Sequence, residues 1–250
     1  MSRSTSSHGA SGGGFIRDVR LSAESATGRY PFTLPVVQQL AGIEHLALDP
    51  AVTFLVGENG TGKSTLVEGL AVAAGFLGDY LVLRWGIHKP RTGYFLRAEA
   101  YYNVATEIEY LDKQSPYPLL PAYGGVSPHE RSHGESFLDL VIHRFGPNGL
   151  YVLDEPESAL SVRGCLSLIT RIADLVAQGS QFVIATHSPV LLAAPGARIL
   201  QIDDDGAIEQ VHYDQALPVA LTRRFLNEPE AFLRYLLDDR DATRPDSAVT

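Results

Sequence analysis

The sequence predicts an α/β domain built from parallel β-α-β units. Three observations carry that expectation. Short apolar runs of strand length alternate with longer amphipathic runs, and such alternation closes parallel strands through crossover helices. One buried strand, AVTFLVG at 51–57, runs straight into a glycine-rich loop and then a helix. A second, LYVLD at 150–154, ends on acidic residues and is followed by a helix and a third strand, QFVIAT at 181–186.

The elements follow in order. Residues 1–14, MSRSTSSHGASGGG, are expected to form a disordered tail, because serine and glycine offer nothing to bury. FIRDVRL at 15–21 reads as a first strand. The helix predicted over 63–74 places Leu66, Leu70 and Ala73/Ala74 on one face. GYFLRAEAYY at 93–102 reads as a strand, and 115–128 is rich in Pro, Tyr and Gly. A helix over 135–145 stops at Gly146-Pro147-Asn148-Gly149, and another spans 161–177. RILQIDDDGAIEQV is a hairpin turning at Asp205-Gly206, with the trio Asp203–Asp205 as a solvated turn rather than a metal site. Short helices near 214–226 and 228–238 and a polar tail over 241–250 close the chain. Residues 15–240 are expected to fold as one domain, with 75–148 containing an inserted lobe.

Composition removes several classes. At 250 residues, 45% hydrophobic and 20% charged, the chain is ordinary for a globular protein with a substantial core. A net charge of −9 gives no support to a nucleic-acid partner, which would need a local basic patch. Lys63, Lys89 and Lys113 are the only lysines, so arginine carries most of the positive charge. Cys165 stands alone, which excludes an internal disulfide and a cysteine-built metal cage and fits a reducing cytoplasm. No apolar run approaches the roughly 20 residues of a membrane span, and the N-terminus lacks the apolar stretch of a secretory signal. The expected location is cytoplasmic.

GENGTGKST at 57–65 fits the phosphate-loop pattern through Gly57, Gly62, Lys63 and Ser64. Its glycines, Gly60 included, let the backbone of Glu58, Asn59 and Thr61 curl so that successive N–H groups face phosphate oxygens. Lys63 is placed to neutralise the β- and γ-phosphates, and the Ser64 hydroxyl, beside Thr65, to ligate Mg²⁺. Kinases, GTPases and transport ATPases share this loop, so partner motifs must discriminate. GLYVLDEPESAL supplies one. Asp154 at a strand tip lies where open α/β sheets bind ligands, placed to hold Mg²⁺, while Glu155 can act as general base toward water. His187 ends the next strand and is read as a contact to the γ-phosphate or to that water.

PHERSHGESF at 128–137 allows two chemistries. His129, Glu130 and His133 spell a zinc-protease pattern, which needs both histidines on one helix face and a third ligand, for which Glu155 or Glu157 can be imagined. Against it, Gly134 weakens a continuing helix and Pro128 fits only a first turn. The overlapping reading makes Ser132 an N-cap with Glu135 three residues on, a capping box. Its free N–H groups and positive dipole end then suit a phosphate.

Phosphate loop, serine–glycine motif, acidic strand and histidine-ended strand together resemble the ABC-type ATPase head over about residues 15–210. The resemblance is closest to soluble single-domain predicted ATPases of the AAA family related to the SMC and recombination-repair ATPases, on SHGESF, LDEPESALS, IATHSPVLLAAPGA and TRRFLNEPEAFLRYLL. It implies a P-loop NTPase fold with a mixed, largely parallel sheet, flanking helices and a small helical signature lobe. It also implies ATP and Mg²⁺ as ligands, and a homodimer in which Ser132, Gly134 and Glu135 of one copy meet the γ-phosphate held by the other. His133 replaces the glycine usual there, and Ser161 the aspartate usual in the dimer-contact loop. The Mg²⁺-sensing glutamine of transporter heads is missing, leaving Arg97 or Glu99, and the adenine-stacking aromatic would be Tyr30 or Phe32. The expected activity is ATP hydrolysis that drives or licenses an unknown partner. The alternatives are the ATP-binding subunit of an ABC transporter, or the head of a DNA-repair or defence complex.

Overall fold

The computed structural model describes residues 14–22, 30–76, 81–99, 101–114, 120, 125 and 132–242. The expected N-terminal tail up to residue 13, His129, Glu130 and residues 243–250 lie outside them. A six-stranded sheet forms the centre, ordered β5 (Thr92–Arg97), β6 (Gly149–Asp154), β7 (Gln181–Ala185), β3 (Val52–Val56), β8 (Arg198–Ile202), β9 (Ile208–Val211). The first five strands are parallel and only β9 is antiparallel, paired with β8 through the predicted hairpin. Gly206 takes φ +85° in its turn, where an added Cβ would meet the Pro35 backbone. A second, antiparallel sheet joins β2 (Leu46–Ala47), β1 (Ile16–Leu21) and β4 (Leu81–Trp85).

Strands buried on both faces need apolar side chains at successive positions, and β3, β6 and β7 are buried throughout. Their alternation divides the core in two. Phe54, Tyr151, Leu153, Phe182 and Ile184 face α4 (His133–Arg144) and α5 (Val162–Ala177). Leu55, Leu150, Val152 and Val183 face α1 (Pro35–Gly42), α2 (Lys63–Ala71) and β1. On the first side Phe145 lies 4.1 Å from Tyr151 with rings 8° from parallel, and Tyr151 continues to Phe182 at 5.0 Å. The two sheets are tied by Gln181. Its amide donates to the Ile16 and Asp49 carbonyls at 2.8 Å each and its oxygen accepts the Ile16 N–H at 2.9 Å.

Several boundaries differ from expectation. The helix predicted over 63–74 ends at Ala71 and passes into a wider π turn, Val72–Phe76, kinked at Gly75 with φ 98°. The strand predicted over 93–102 stops at Arg97, and α3 (Tyr101–Gln114) begins where the strand was expected to continue. Tyr101 is drawn into the core, edge-on to Phe137 at 5.7 Å, and burial pushes its hydroxyl pKa up to about 12. Within 75–148, β4 and β5 join the two sheets, and the helical part is α3 and α4. The chain closes on α6 (Leu217–Asn227) and α7 (Pro229–Ala242), the latter overlapping the predicted polar tail by two residues. Among the described residues no helix is long and apolar enough to cross a membrane.

Candidate functional site

β3 delivers the chain to the loop of residues 57–62, and α2 leaves from it. Gly57 packs so closely that a Cβ would stand 2.4 Å from the Ile202 carbonyl oxygen. Gly60 and Gly62 take φ +89° and +93°, the left-handed region that glycine enters without steric cost. Gly62 caps α2 without a side-chain hydrogen bond, so the first N–H groups of the helix remain open to an anion. Thr61 Oγ1 and Lys63 Nζ both donate to the Glu58 carbonyl at 2.9 Å, holding the loop curled. Lys63 is only 4% exposed. Burial lowers its ammonium pKa, and the carboxylates of Glu155, Asp154, Glu58 and Glu157 partly restore it. Tyr30, 70% exposed, stands at the loop with its hydroxyl 3.3 Å from Thr65 Oγ1. Tyr30, Leu34, Asn59, Gly60, Lys63, Ser64 and Glu155 share one cavity of about 270 Å³. Phe32 packs instead against the core beneath α1.

Parallel register carries the acidic strand to the same place. Asp154, 2% exposed, ends β6 opposite Ala185 of β7 and Arg97 of β5. Ser64 Oγ donates to Asp154 Oδ1 at 3.1 Å, joining the phosphate loop to β6 across 90 residues of sequence. Arg97 Nε donates to Asp154 Oδ2 at 2.8 Å, and its Nη2 lies 2.8 Å from Glu68 Oε1. Glu99 is exposed beyond the end of β5. A hydroxyl and a carboxylate are hard oxygen donors of the kind Mg²⁺ takes when water and phosphate complete its octahedron. The residues therefore fit that ion.

Glu155 takes φ 47°, ψ 52°, a left-handed conformation that costs a non-glycine residue roughly 1–2 kcal/mol. Its N–H donates to Ala185 O at 2.9 Å. That turn leaves its carboxylate part-exposed at the cavity, 3.5 Å from His187 Nε2. His187 is held from behind, since its N–H donates to Glu157 Oε1. Glu157 Oε2 and His187 Nε2 are buried without a hydrogen-bond partner among the described residues. Sequence reasoning missed both Glu157 as the anchor of His187 and Glu68 as a partner of Arg97. Glu68 sits one turn after Ser64 on the same face of α2, which was a usable sign; Glu157 offered none.

The Ser132 segment is a capping box. The Ser132 N–H and hydroxyl donate to Glu135 Oε2 at 3.1 and 2.8 Å, and the Glu135 N–H returns to Ser132 Oγ at 3.4 Å. Both residues are exposed. A Cβ on Gly134 would stand 3.0 Å from Ala159 O, so this helix start abuts the turn that follows the acidic strand. Ser161 accepts the Gly164 N–H at 3.2 Å and caps α5, which a serine does as well as an aspartate. Of the zinc pattern, His129 and Glu130 lie outside the described residues. Of the third ligands considered, Glu155 faces His187 and Glu157 Oε1 accepts the His187 backbone N–H. No three metal-binding side chains cluster among the described residues.

The family described as "AAA domain, putative AbiEii toxin, Type IV TA system" matches residues 122–193, which hold the capped helix start, the acidic strand and the histidine strand. Over 190 residues the chain is 27% identical to the ABC transporter G family member STR2 of Medicago truncatula, covering 61% of this chain and 26% of that one. Over 58 residues it is 41% identical to the cytochrome c biogenesis ATP-binding export protein CcmA of Salmonella typhi, covering 23% and 28%. The chain thus spans about a quarter of the length of the curated relatives it matches. Among solved structures, cbiO1 of Clostridium perfringens, part of the ABC transporter complex cbiONQ, aligns with a TM-score of 0.50 at 15% identity, covering 90% of this chain and 99% of that one. An Smc head bound to the C-terminal winged-helix domain of ScpA aligns with a TM-score of 0.51 at 13% identity, covering 79% and 97%. The chain shares its fold with these two solved structures.

Proposed function

We propose that residues 15–240 act as a single head that binds ATP with Mg²⁺ on the loop 57–65. Two copies close around the nucleotide, and its hydrolysis drives or licenses a partner. The observation that carries this reading is the Ser64–Asp154 hydrogen bond, which brings phosphate loop and acidic strand to one point with Glu155 beside them. The loop amides and Lys63 bind the phosphates, and Tyr30 stacks on the base. Ser64 and Asp154 would hold Mg²⁺, which would supply positive charge against that of the phosphates. Glu155 takes a proton from water as the water oxygen forms its bond to the γ-phosphorus. The bond from that phosphorus to the β–γ bridging oxygen breaks, leaving ADP and inorganic phosphate. His187 orients Glu155 and the water.

Dimerisation is supported by the exposed capping box. Ser132 satisfies one N–H at the start of α4, and the remaining ones, with the helix dipole, suit a phosphate presented by a second copy. Glu155→Gln tests the whole reading. The variant should bind ATP as tightly as the parent, lose turnover by at least about a hundredfold, and run as a dimer in ATP by light scattering. Hydrolysis at the parental rate overturns Glu155 as the base. A second reading, the ATP-binding subunit of a membrane transporter, is favoured by the names of the curated relatives, and co-purification with an integral membrane protein would establish it. Binding to DNA that requires ATP and falls steeply with salt would place the head in a repair or defence complex instead.

A further inference from the structure

Arg97 takes no part in the hydrolytic arrangement proposed above, yet it holds the carboxylate on which that arrangement depends. It is the last residue of β5, in register with Asp154 at the end of β6. Both oxygens of Asp154 are engaged, Oδ1 by the Ser64 hydroxyl and Oδ2 by the Arg97 guanidinium. The other end of the guanidinium rests on Glu68 of α2, so the cation spans two carboxylates from two elements. Burial works against its charge, but the hydrogen bond and charge of Asp154, then those of Glu68, outweigh it and raise the Arg97 pKa. A guanidinium has five donors, no acceptor, and is always charged. It cannot ligate a metal ion. What it brings to Oδ2 is the positive charge that a divalent cation would bring.

We propose that Arg97 is an internal competitor of Mg²⁺ for Asp154, a specificity-determining residue that sets the Mg²⁺ concentration at which the site loads. The inference rests on the reading of Ser64 and Asp154 as the Mg²⁺ ligands. Loading requires Arg97 to release Oδ2, and Glu68 gives the guanidinium a place to remain when it does. In the unloaded head the same contact keeps Asp154 paired, so a buried carboxylate beside the phosphate loop is never left without a counter-charge. A merely structural clamp between β5, β6 and α2 would stabilise the fold and leave metal affinity alone. The two roles therefore differ in what they move.

The experiment uses the full chain and three variants, Arg97→Ala, Arg97→Gln and Arg97→Lys, each checked for cooperative urea unfolding. Mn²⁺ is titrated into each protein, with and without ADP, and free Mn²⁺ is read by electron paramagnetic resonance. Arg97→Ala should bind Mn²⁺ at least about tenfold more tightly than the parent, because one unit charge a few ångströms from the metal is removed. Arg97→Gln should bind more tightly still, since its amide oxygen can itself serve as a ligand. Arg97→Lys, which keeps the charge, should stay within about twofold of the parent. Arg97→Gln also retains a donor for Asp154 and keeps the test alive if Arg97→Ala does not fold. Mn²⁺ affinity unchanged in both Ala and Gln variants, or undetectable in all four proteins, overturns the proposal. ATP binding by the parent at saturating Mg²⁺ is measured in parallel. Its failure would overturn the proposed ATP site, while the Mn²⁺ arm alone decides the role of Arg97.

Discussion

Gly57 offers the sharpest test of how the phosphate loop is built. A Cβ added there would stand 2.4 Å from the Ile202 carbonyl oxygen and 3.0 Å from Thr61 Oγ1. Ile202 belongs to β8, which is hydrogen-bonded to β3 immediately before the loop, so neither backbone can move without shearing the sheet. Ordinary contact would require a displacement of about 1 Å, and overpacking of this kind costs roughly 1–3 kcal/mol. Gly60→Ala is the matched control. It has nothing within 4 Å of its would-be Cβ but a φ of +89°, so its cost is the left-handed strain alone, about 1–2 kcal/mol. Urea unfolding with a constant slope reads the stability change, and a fluorescent ATP analogue reads the site. Gly57→Ala should lose stability in the stated range and bind the analogue at least about tenfold more weakly, because the loop amides that face phosphate shift with the strand. Gly60→Ala should unfold earlier but lose less affinity than Gly57→Ala. If Gly57→Ala matched the parent in both assays, the close packing of the loop under β8 would be wrong.

The remaining expectations follow from single contacts. Tyr30→Ala should weaken nucleotide binding about tenfold, the value of one base–aromatic stack, while leaving the urea midpoint unchanged because Tyr30 is largely exposed; equal binding by fluorescence titration would remove Tyr30 as the stacking residue. Gln181→Leu removes three hydrogen bonds, two that fasten Ile16 of β1 to the central sheet and one to the Asp49 carbonyl ahead of β3. Leaving the Ile16 and Asp49 backbone groups unpaired should cost about 3 kcal/mol in urea unfolding, with a loss below 1 kcal/mol (about the net worth of one hydrogen bond) counting against the contact.

What was legible in the sequence was local. The loop 57–65 declares itself because strand, glycines and helix are contiguous, and the Ser132 cap because Ser and Glu stand three residues apart. Asp154 is marked by acidic residues ending an apolar run. What needed the third dimension is what lies between strands. Arg97 meets Asp154 only because β5 happens to be the parallel neighbour of β6, and no spacing within the chain encodes that. α3 was hidden for another reason: Tyr101, Tyr102, Val104, Thr106 and Ile108 favour strand by propensity, and packing of Tyr101 on Phe137 overrides it. α1 was missed although Pro35 at its first turn and Gly42 at its end are ordinary helix punctuation.

The charges around the loop also bear on the proposed pairing of two copies. Lys63 feels the carboxylates of Glu155, Asp154, Glu58 and Glu157, and Glu68 lies one turn along α2, so among the described residues five acids stand around the loop beside the cations Lys63 and Arg97. Arg97 is already spent on Asp154 and Glu68. A triphosphate entering this site meets a surplus of negative charge that the loop amides and Lys63 offset only in part. On the proposed reading, further positive potential comes from a divalent cation on the Asp154 side and, at the γ-phosphate, from a second copy. The start of α4 supplies such potential, but within one chain it packs against Ala159 beyond the acidic strand rather than on the loop. The proposed closure of two copies would deliver it and would give the exposed, pre-ordered Ser132 and Glu135 a role. Ser132→Arg, which fills that surface while leaving the loop intact, should therefore abolish the ATP-dependent dimer of the Glu155→Gln protein in light scattering yet preserve monomeric ATP binding. A dimer that persists would mean the copies meet elsewhere.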